Sequence, residues 1–174
     1  MDIKRAFLYG NIEEEIYIEL PEEDEMKQKG YVGKLKKAMY GTRSAPLIWQ
    51  KVVQKKMEEM GFDACVTTPC LYHHRARDIF VVAHVDDFLC AGGPEDLLWV
   101  QEELERTFEL TYKLIGPGLS ATFLGRTIAW GSEGITMEGE NKYIDTLMKE
   151  WEVNMSDVLN TPGCDEDKRQ EGGE

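Results

Sequence analysis

The residues best equipped for chemistry in this chain are Asp86 and Asp87, adjacent carboxylates between two apolar runs, Ile79-Phe80-Val81-Val82-Ala83 and Phe88-Leu89-Cys90-Ala91, the second closed by Gly92-Gly93-Pro94. Runs of this length, rich in Val, Ile and Phe, read as two core strands of a hairpin with the acids at or near its turn. Carboxylates placed between core strands cost free energy unless hydrogen bonds or a bound cation compensate them. Two roles are open. As turn residues the aspartates would accept from nearby backbone amides. As ligands their oxygens suit Mg²⁺ or Mn²⁺, and a hairpin holds paired carboxylates more rigidly than a loop does.

A third acid, Asp2, precedes a short amphipathic turn running through Ala6-Phe7-Leu8-Tyr9-Gly10. It lies one residue from the first of the chain, so it can be ordered only if its backbone is tied into a sheet.

The elements that must position these acids follow from periodicity. Ile16, Ile18 and Leu20 alternate with Tyr17 and Glu19 ahead of Pro21, the pattern of a short strand with one exposed face. Pro21 to Gly30 reads as an acidic loop, irregular or helix-capable. Pro46 belongs in the first turn of a helix that Gly61 ends, with Leu47, Ile48, Val52, Met57 and Met60 as the inward stripe and Trp49 on another face. Cys70 to His74 is a strand that enters the hairpin through Arg75-Ala76-Arg77-Asp78. Pro94, followed by Glu95 and Asp96, opens a second helix with Leu97, Leu98, Val100, Gln101, Leu104 and Phe108 at helical spacing. Glu109 to Ile115, Thr122 to Trp130 and Ile135 to Met137 are strand-like, and Asn141 to Trp151 is a last helix. This order predicts an α+β layer, an antiparallel sheet with helices packed on one face.

With 174 residues the chain can build one domain with a substantial core, and not two of ordinary size. No apolar run approaches the roughly 20 residues of a bilayer span, and the start lacks a signal-peptide pattern. The expectation is a soluble intracellular chain, cytoplasmic or nuclear, with no membrane partner. Cys65, Cys70, Cys90 and Cys164 form no C-x-x-C, so reduced thiols are expected. Cys65 and Cys70 with His73 and His74 match no standard zinc spacing. A net charge of −13 opposes binding to a polyanion. Yet Lys27 to Met57 carries nine basic residues and no acid. That island is either a face for the phosphates of a nucleic acid or nucleotide or a solvated helix surface.

Several blocks agree in order and approximate spacing with one family. They are Asp2-Ile3-Lys4-Arg5-Ala6-Phe7-Leu8-Tyr9-Gly10, Leu35-Lys36-Lys37-Ala38-Met39-Tyr40-Gly41, Ala45-Pro46 followed by Trp49, Val85-Asp86-Asp87, Phe123-Leu124-Gly125, Asn141-Lys142-Tyr143-Ile144 and Thr161-Pro162. Together they resemble the reverse transcriptase of copia-type LTR retrotransposons over nearly the whole chain.

The resemblance implies a polymerase palm leading into a partial thumb over residues 1–162, without the fingers; the polar segment that follows, 163–174, has from Asp165 on no apolar residue to bury and reads as a disordered tail. It implies RNA-directed DNA polymerase chemistry, in which two Mg²⁺ or Mn²⁺ ions on Asp2, Asp86 and Asp87 serve transfer of a nucleotide to a primer 3′-hydroxyl. By the resemblance Asp2 and Asp86 are the expected direct ligands; neighbouring side chains on a strand point to opposite faces, so Asp87 can join only if the turn bends the backbone. Phe7 or Tyr9 would form the floor under the nucleotide sugar. Gly41, Arg43 and Ser44 would meet nucleotide or template, and Lys36, Lys37, Lys51 and Lys55, with Phe123, Leu124 and Gly125, would contact template and primer. Three positions depart from the family pattern: His84 for Tyr, Ser44 for Gln and Arg43 for Lys. The implied partners are an RNA or DNA template with primer and deoxynucleoside triphosphates. A different class of function stays open: a palm fold that no longer catalyses and binds RNA or a protein.

Overall fold

The computed structural model describes residues 1–139 and 142–152. Asn141, Cys164, Thr161-Pro162 and the expected tail over 163–174 lie outside the described residues. In chain order the elements are β1 (Asp2–Ile3), a 3-10 turn (Ala6–Tyr9), β2 (Tyr17–Ile18), α1 (Glu25–Gln28), β3 (Gly33–Lys34), α2 (Ala45–Glu59), β4 (Asp63–Ala64) and β5 (Leu71–His74). Then come β6 (Ile79–His84), β7 (Asp87–Ala91), α3 (Pro94–Glu105), β8 (Leu110–Thr111), β9 (Ser120–Phe123), β10 (Arg126–Gly131), β11 (Gly134–Gly139) and α4 (Lys142–Glu150).

The main sheet is six-stranded, in the order β4-β5-β6-β7-β1-β8. Every neighbour in it is antiparallel, as the α+β reading requires. A three-stranded sheet, β11-β10-β9, and the pair β2-β3 complete the strands. Among the described residues no helix is long and apolar enough to cross a membrane.

The pleat divides the main sheet into two unlike faces. Tyr72 stands opposite Val81 and Ala83 opposite Phe88, so Tyr72, Ile79, Val81, Phe88 and, one strand over, Ile3 share a face. All five are buried and form one cluster with Trp49, Val53 and Met57 of α2 and Val100 and Leu104 of α3. Helices therefore cover this face, at roughly 1.5–3 kcal/mol for each large apolar side chain removed from water. Asp2 and Asp87 alternate with these residues and belong to the other face.

Three expectations are corrected. The buried stripe of α2 is Ala45, Trp49, Val53 and Met57, at a spacing of four, with Leu47 exposed and Ile48 and Val52 only partly buried. Trp49 points inward, buried against Phe108 of the bend between α3 and β8. Thr122 to Trp130 is not one strand but the hairpin β9–β10, which reverses at Leu124 and Gly125, both at positive φ (49° and 70°). Two residues in the left-handed region make the tight turn whose twist suits a hairpin, and Gly125 meets that need at no steric cost. Of Glu109 to Ile115, only Leu110–Thr111 pairs, because β1 offers just two residues to pair with. The remaining elements lie close to where periodicity places them.

Candidate active site

Two hydrogen bonds exchanged between Met1 and Phe88 (2.8 Å each) and one from the Ile3 amide to the Asp86 carbonyl (2.8 Å) fix β1 against β7. Asp2 is thereby tied down, and its direct partner across the strands is Asp87. The pair lies between hydrogen-bonded pairs, the position where facing side chains come closest. On its other side Asp2 faces Thr111, whose hydroxyl donates to the Asp2 carboxylate at 3.4 Å.

Asp86 has a different place. With Val85 it forms the two-residue turn of the β6–β7 hairpin, closed by His84 opposite Asp87. So the register pairs Asp2 with Asp87 on the face opposite the helix-packed core and sets Asp86 at the tip. The resemblance named Asp2 and Asp86 as the expected direct ligands; cross-strand register, invisible in the sequence, sets Asp87 opposite Asp2.

The β9–β10 hairpin reaches the same place. A cavity of about 260 Å³ is lined by Asp2, Asp87, Leu89, Thr111, Phe123 and Ile128, among others. Phe123 is thus brought beside the acids from more than thirty residues further along the chain. Leu124 and Gly125 sit at the adjacent turn, exposed.

Four of the remaining candidates line two other cavities. Phe7, 9% exposed, packs on Tyr40 with ring centroids 4.5 Å apart. It lines a cavity of about 200 Å³ with Trp49, Tyr72, Ala83, His84 and Val85. Ser44, Lys51 and Lys55 line a third cavity of about 350 Å³ with Asn11. Ser44 precedes α2 without capping it, and its hydroxyl oxygen is buried with no hydrogen-bond partner among the described residues. Gly41 holds φ at +90° with open space around it. Arg43 is exposed, as are Lys36 and Lys37 on the segment that hydrogen-bonds back to Gly10 and Ile12. Tyr9 is committed elsewhere: its hydroxyl accepts from the Glu109 amide at 2.6 Å and its ring meets Phe108 edge-on at 4.9 Å.

Lys4 (3.0 Å) and Arg5 both bond to the Glu109 carboxylate, and these hydrogen bonds hold Glu109 below the usual carboxylate range. Part of the basic island is neutralised by acids from outside it, Lys27 by Glu22 and Lys34 by Glu15. Among the described residues, Lys36, Lys37, Arg43 and Lys51 make no such pair. Behind β7, burial pushes the Cys90 thiol up to about 11, with the Met1 ammonium pulling the other way.

Hard oxygens on one strand face are the donor chemistry of a magnesium or manganese site. Among the described residues, no group of three or more His, Cys, Asp or Glu side chains is gathered to hold an ion. Two carboxylates with substrate phosphates completing the shell is a usual arrangement for Mg²⁺, so Asp2 and Asp87 fit that ion as a half-built site. His73 and His74 have other occupations, stacked on Phe80 and edge-on to Phe62 and Trp99. Periodicity missed Thr111 and the inward indole of Trp49. No local signal marks Thr111, whereas a stripe at a spacing of four through Ala45, Trp49, Val53 and Met57 could have revealed the indole.

An antiparallel sheet with helices on one face and opposed aspartates on the other defines an α+β protein with its acids presented on the open side of the sheet. Residues 1–164 match the family described as reverse transcriptase (RNA-dependent DNA polymerase), and the chain belongs to that family, in its copia-type retrotransposon branch. It is 29% identical over 167 residues to the retrovirus-related Pol polyprotein from transposon TNT 1-94 of Nicotiana tabacum, covering 93% of this chain and 12% of that protein. It is 30% identical over 168 residues to a putative transposon Ty5-1 protein of Saccharomyces cerevisiae, covering 94% of this chain and 53% of that one. A third relative, the Pol polyprotein from transposon RE1 of Arabidopsis thaliana, is 32% identical over 101 residues, 56% of this chain and 7% of that protein. The chain therefore spans about half or less of the length of these relatives. No solved structure matches it.

Proposed function

We propose that this chain is the palm and the start of the thumb, over residues 1–162, of an RNA-directed DNA polymerase that adds deoxynucleotides to a primer 3′-hydroxyl. The observation that carries the reading is the direct cross-strand pairing of Asp2 with Asp87 on the face opposite the helix-packed core, beside the hairpin bearing Phe123. Like charges directly opposed on a sheet are destabilising, so an opposed pair of this kind points to a cation as its usual companion.

Asp2 and Asp87 would hold Mg²⁺ or Mn²⁺, with Asp86 reaching in from the turn. Such ions, when bound, supply Lewis acidity and neutralise charge on the reacting phosphates. The chain's own part is positioning, the largest task in phosphoryl transfer. Phe123, Leu124 and Gly125 orient the primer end toward the acids. Phe7, beneath the turn, limits the room at the nucleotide sugar. Lys36, Lys37, Arg43, Lys51 and Lys55 meet the phosphates of template and nucleotide, with Gly41 and Ser44 at the point of close backbone approach. The surroundings implied are those of a retrotransposon particle, cytoplasmic or nuclear.

A second reading is a palm that binds RNA or protein without catalysing. It draws on the absence of a gathered three-carboxylate set among the described residues. Primer extension on a primed RNA template, with Mg²⁺ and then Mn²⁺, separates the two. Catalysis predicts extension that Asp2→Asn and Asp87→Asn each abolish. Template binding without extension, unchanged by either substitution, would leave the binding module standing and overturn the polymerase.

A further inference from the structure

The tip of the β6–β7 hairpin contains a conformational anomaly. Val85 lies at φ +54°, in the left-handed region. For a β-branched residue this is an outlier, and the first position of a two-residue turn with one positive φ ordinarily carries glycine. Such a residue persists only where its surroundings over-determine it.

The surroundings can be named. The Trp49 indole N–H donates to the Val85 carbonyl at 2.5 Å. One residue on, the Asp86 carbonyl accepts from the Ile3 amide at 2.8 Å. The carbonyls that precede and follow the Asp86 Cα are therefore both held, one by a helix and the other by β1. Trp49 is itself fixed: it is 3% exposed and meets Phe108 edge-on at 5.4 Å, with Tyr9 at 6.2 Å. Tyr9 ends the 3-10 turn that follows Asp2, so a single aromatic group braces both chain segments that deliver the acids. The apolar cavity under the turn is lined by Trp49 and Val85, and there the indole is the group that reaches the turn with a hydrogen-bond donor.

We infer that Trp49 is a positioning residue: its indole N–H holds the strained Val85 peptide and thereby sets where the Asp86 carboxylate stands relative to Asp2 and Asp87. The inference rests on the proposed polymerase reading for its consequence in ion binding, and on geometry alone for the hold on the turn.

Two readouts keep these apart. Trp49→Phe keeps an aromatic ring in the core and removes the donor. Val85→Gly removes the strain that the donor opposes. In amide hydrogen exchange, Trp49→Phe should speed exchange across residues 85–88 by about three- to tenfold, the range one neutral hydrogen bond commands, while β5 and α3 stay as in the parent. In the Val85→Gly background the same substitution should change that exchange little, because glycine adopts the turn without help. Mn²⁺ affinity should follow the same pattern, falling about three- to tenfold for Trp49→Phe alone and much less in the glycine background. Exchange unchanged at the turn, or raised equally throughout the core, overturns the inference, since packing alone would act additively. If the parent binds no Mn²⁺ that Asp87→Asn abolishes, the polymerase reading fails, and the exchange result still decides the role of Trp49.

Discussion

Asp2 and Asp87 face one another directly across β1 and β7, two carboxylates in the closest kind of antiparallel pair. A fold that places like charges there gives up stability at that point in the absence of a cation. Asp87→Asn is therefore expected to raise stability in chelator by roughly 0.2–1 kcal/mol. In the parent Mg²⁺ should raise the melting temperature, and in the variant it should add little. Thermal melts of both proteins with and without Mg²⁺ measure this. A variant less stable than the parent in chelator would show that the pair is not repulsive.

Glu109 ties down the segment that follows Asp2 through Lys4 and Arg5. Its folded pKa is depressed by those hydrogen bonds. Its contribution is thus present above the unfolded carboxylate range, and is lost as pH falls through the lower folded value. Denaturant melts from neutral pH downward should show Glu109→Gln with a weaker acid limb than the parent, and the difference should shrink in high salt because the pairs are exposed.

Cys90 gives the opposite limb. Its thiol titrates at about 11 when folded and near 9.0 otherwise. The neutral thiol is the form that folding favours, so this contribution is complete below pH 9 and fades as pH rises toward 11, at about 1.4 kcal/mol per unit of pH. Cys90→Ala should flatten the alkaline limb of a melt series. In the parent at pH 8, alkylation of Cys90 should lag behind that of exposed Cys70.

Gly10 lies where the segment after the 3-10 turn passes against α2, and an added Cβ would collide with the Ile48 side chain. Gly10→Ala is expected to cost about 1–3 kcal/mol, as overpacking does. Combining it with Ile48→Ala should recover part of the loss, read from urea midpoints of the single and double variants.

How far the sequence reaches can be judged residue by residue. The β6–β7 hairpin and its acidic turn were legible because an apolar run broken by two aspartates has few other solutions. Pro46 and Pro94 marked two helix starts correctly, since proline in a first turn loses no hydrogen bond. Periodicity misplaces the stripe of α2: Leu47 and Val52 satisfy a helical period, whereas the stricter spacing of four through Ala45, Trp49, Val53 and Met57 marks the buried face. The Leu124-Gly125 reversal hid inside a strand-like stretch, because a leucine at positive φ leaves no mark in composition.

By itself the sequence determined the family and the α+β class and singled out the acids as candidates, because residue type and order along the chain carry these. The tertiary structure decided which acid meets which. Pairing Asp2 with Asp87, drawing Thr111 and Phe123 to the same cavity and aiming the Trp49 indole at the Val85 carbonyl all depend on register and on contacts between distant segments. A one-residue slip of β1 would keep the composition unchanged and turn Asp2 toward the helices.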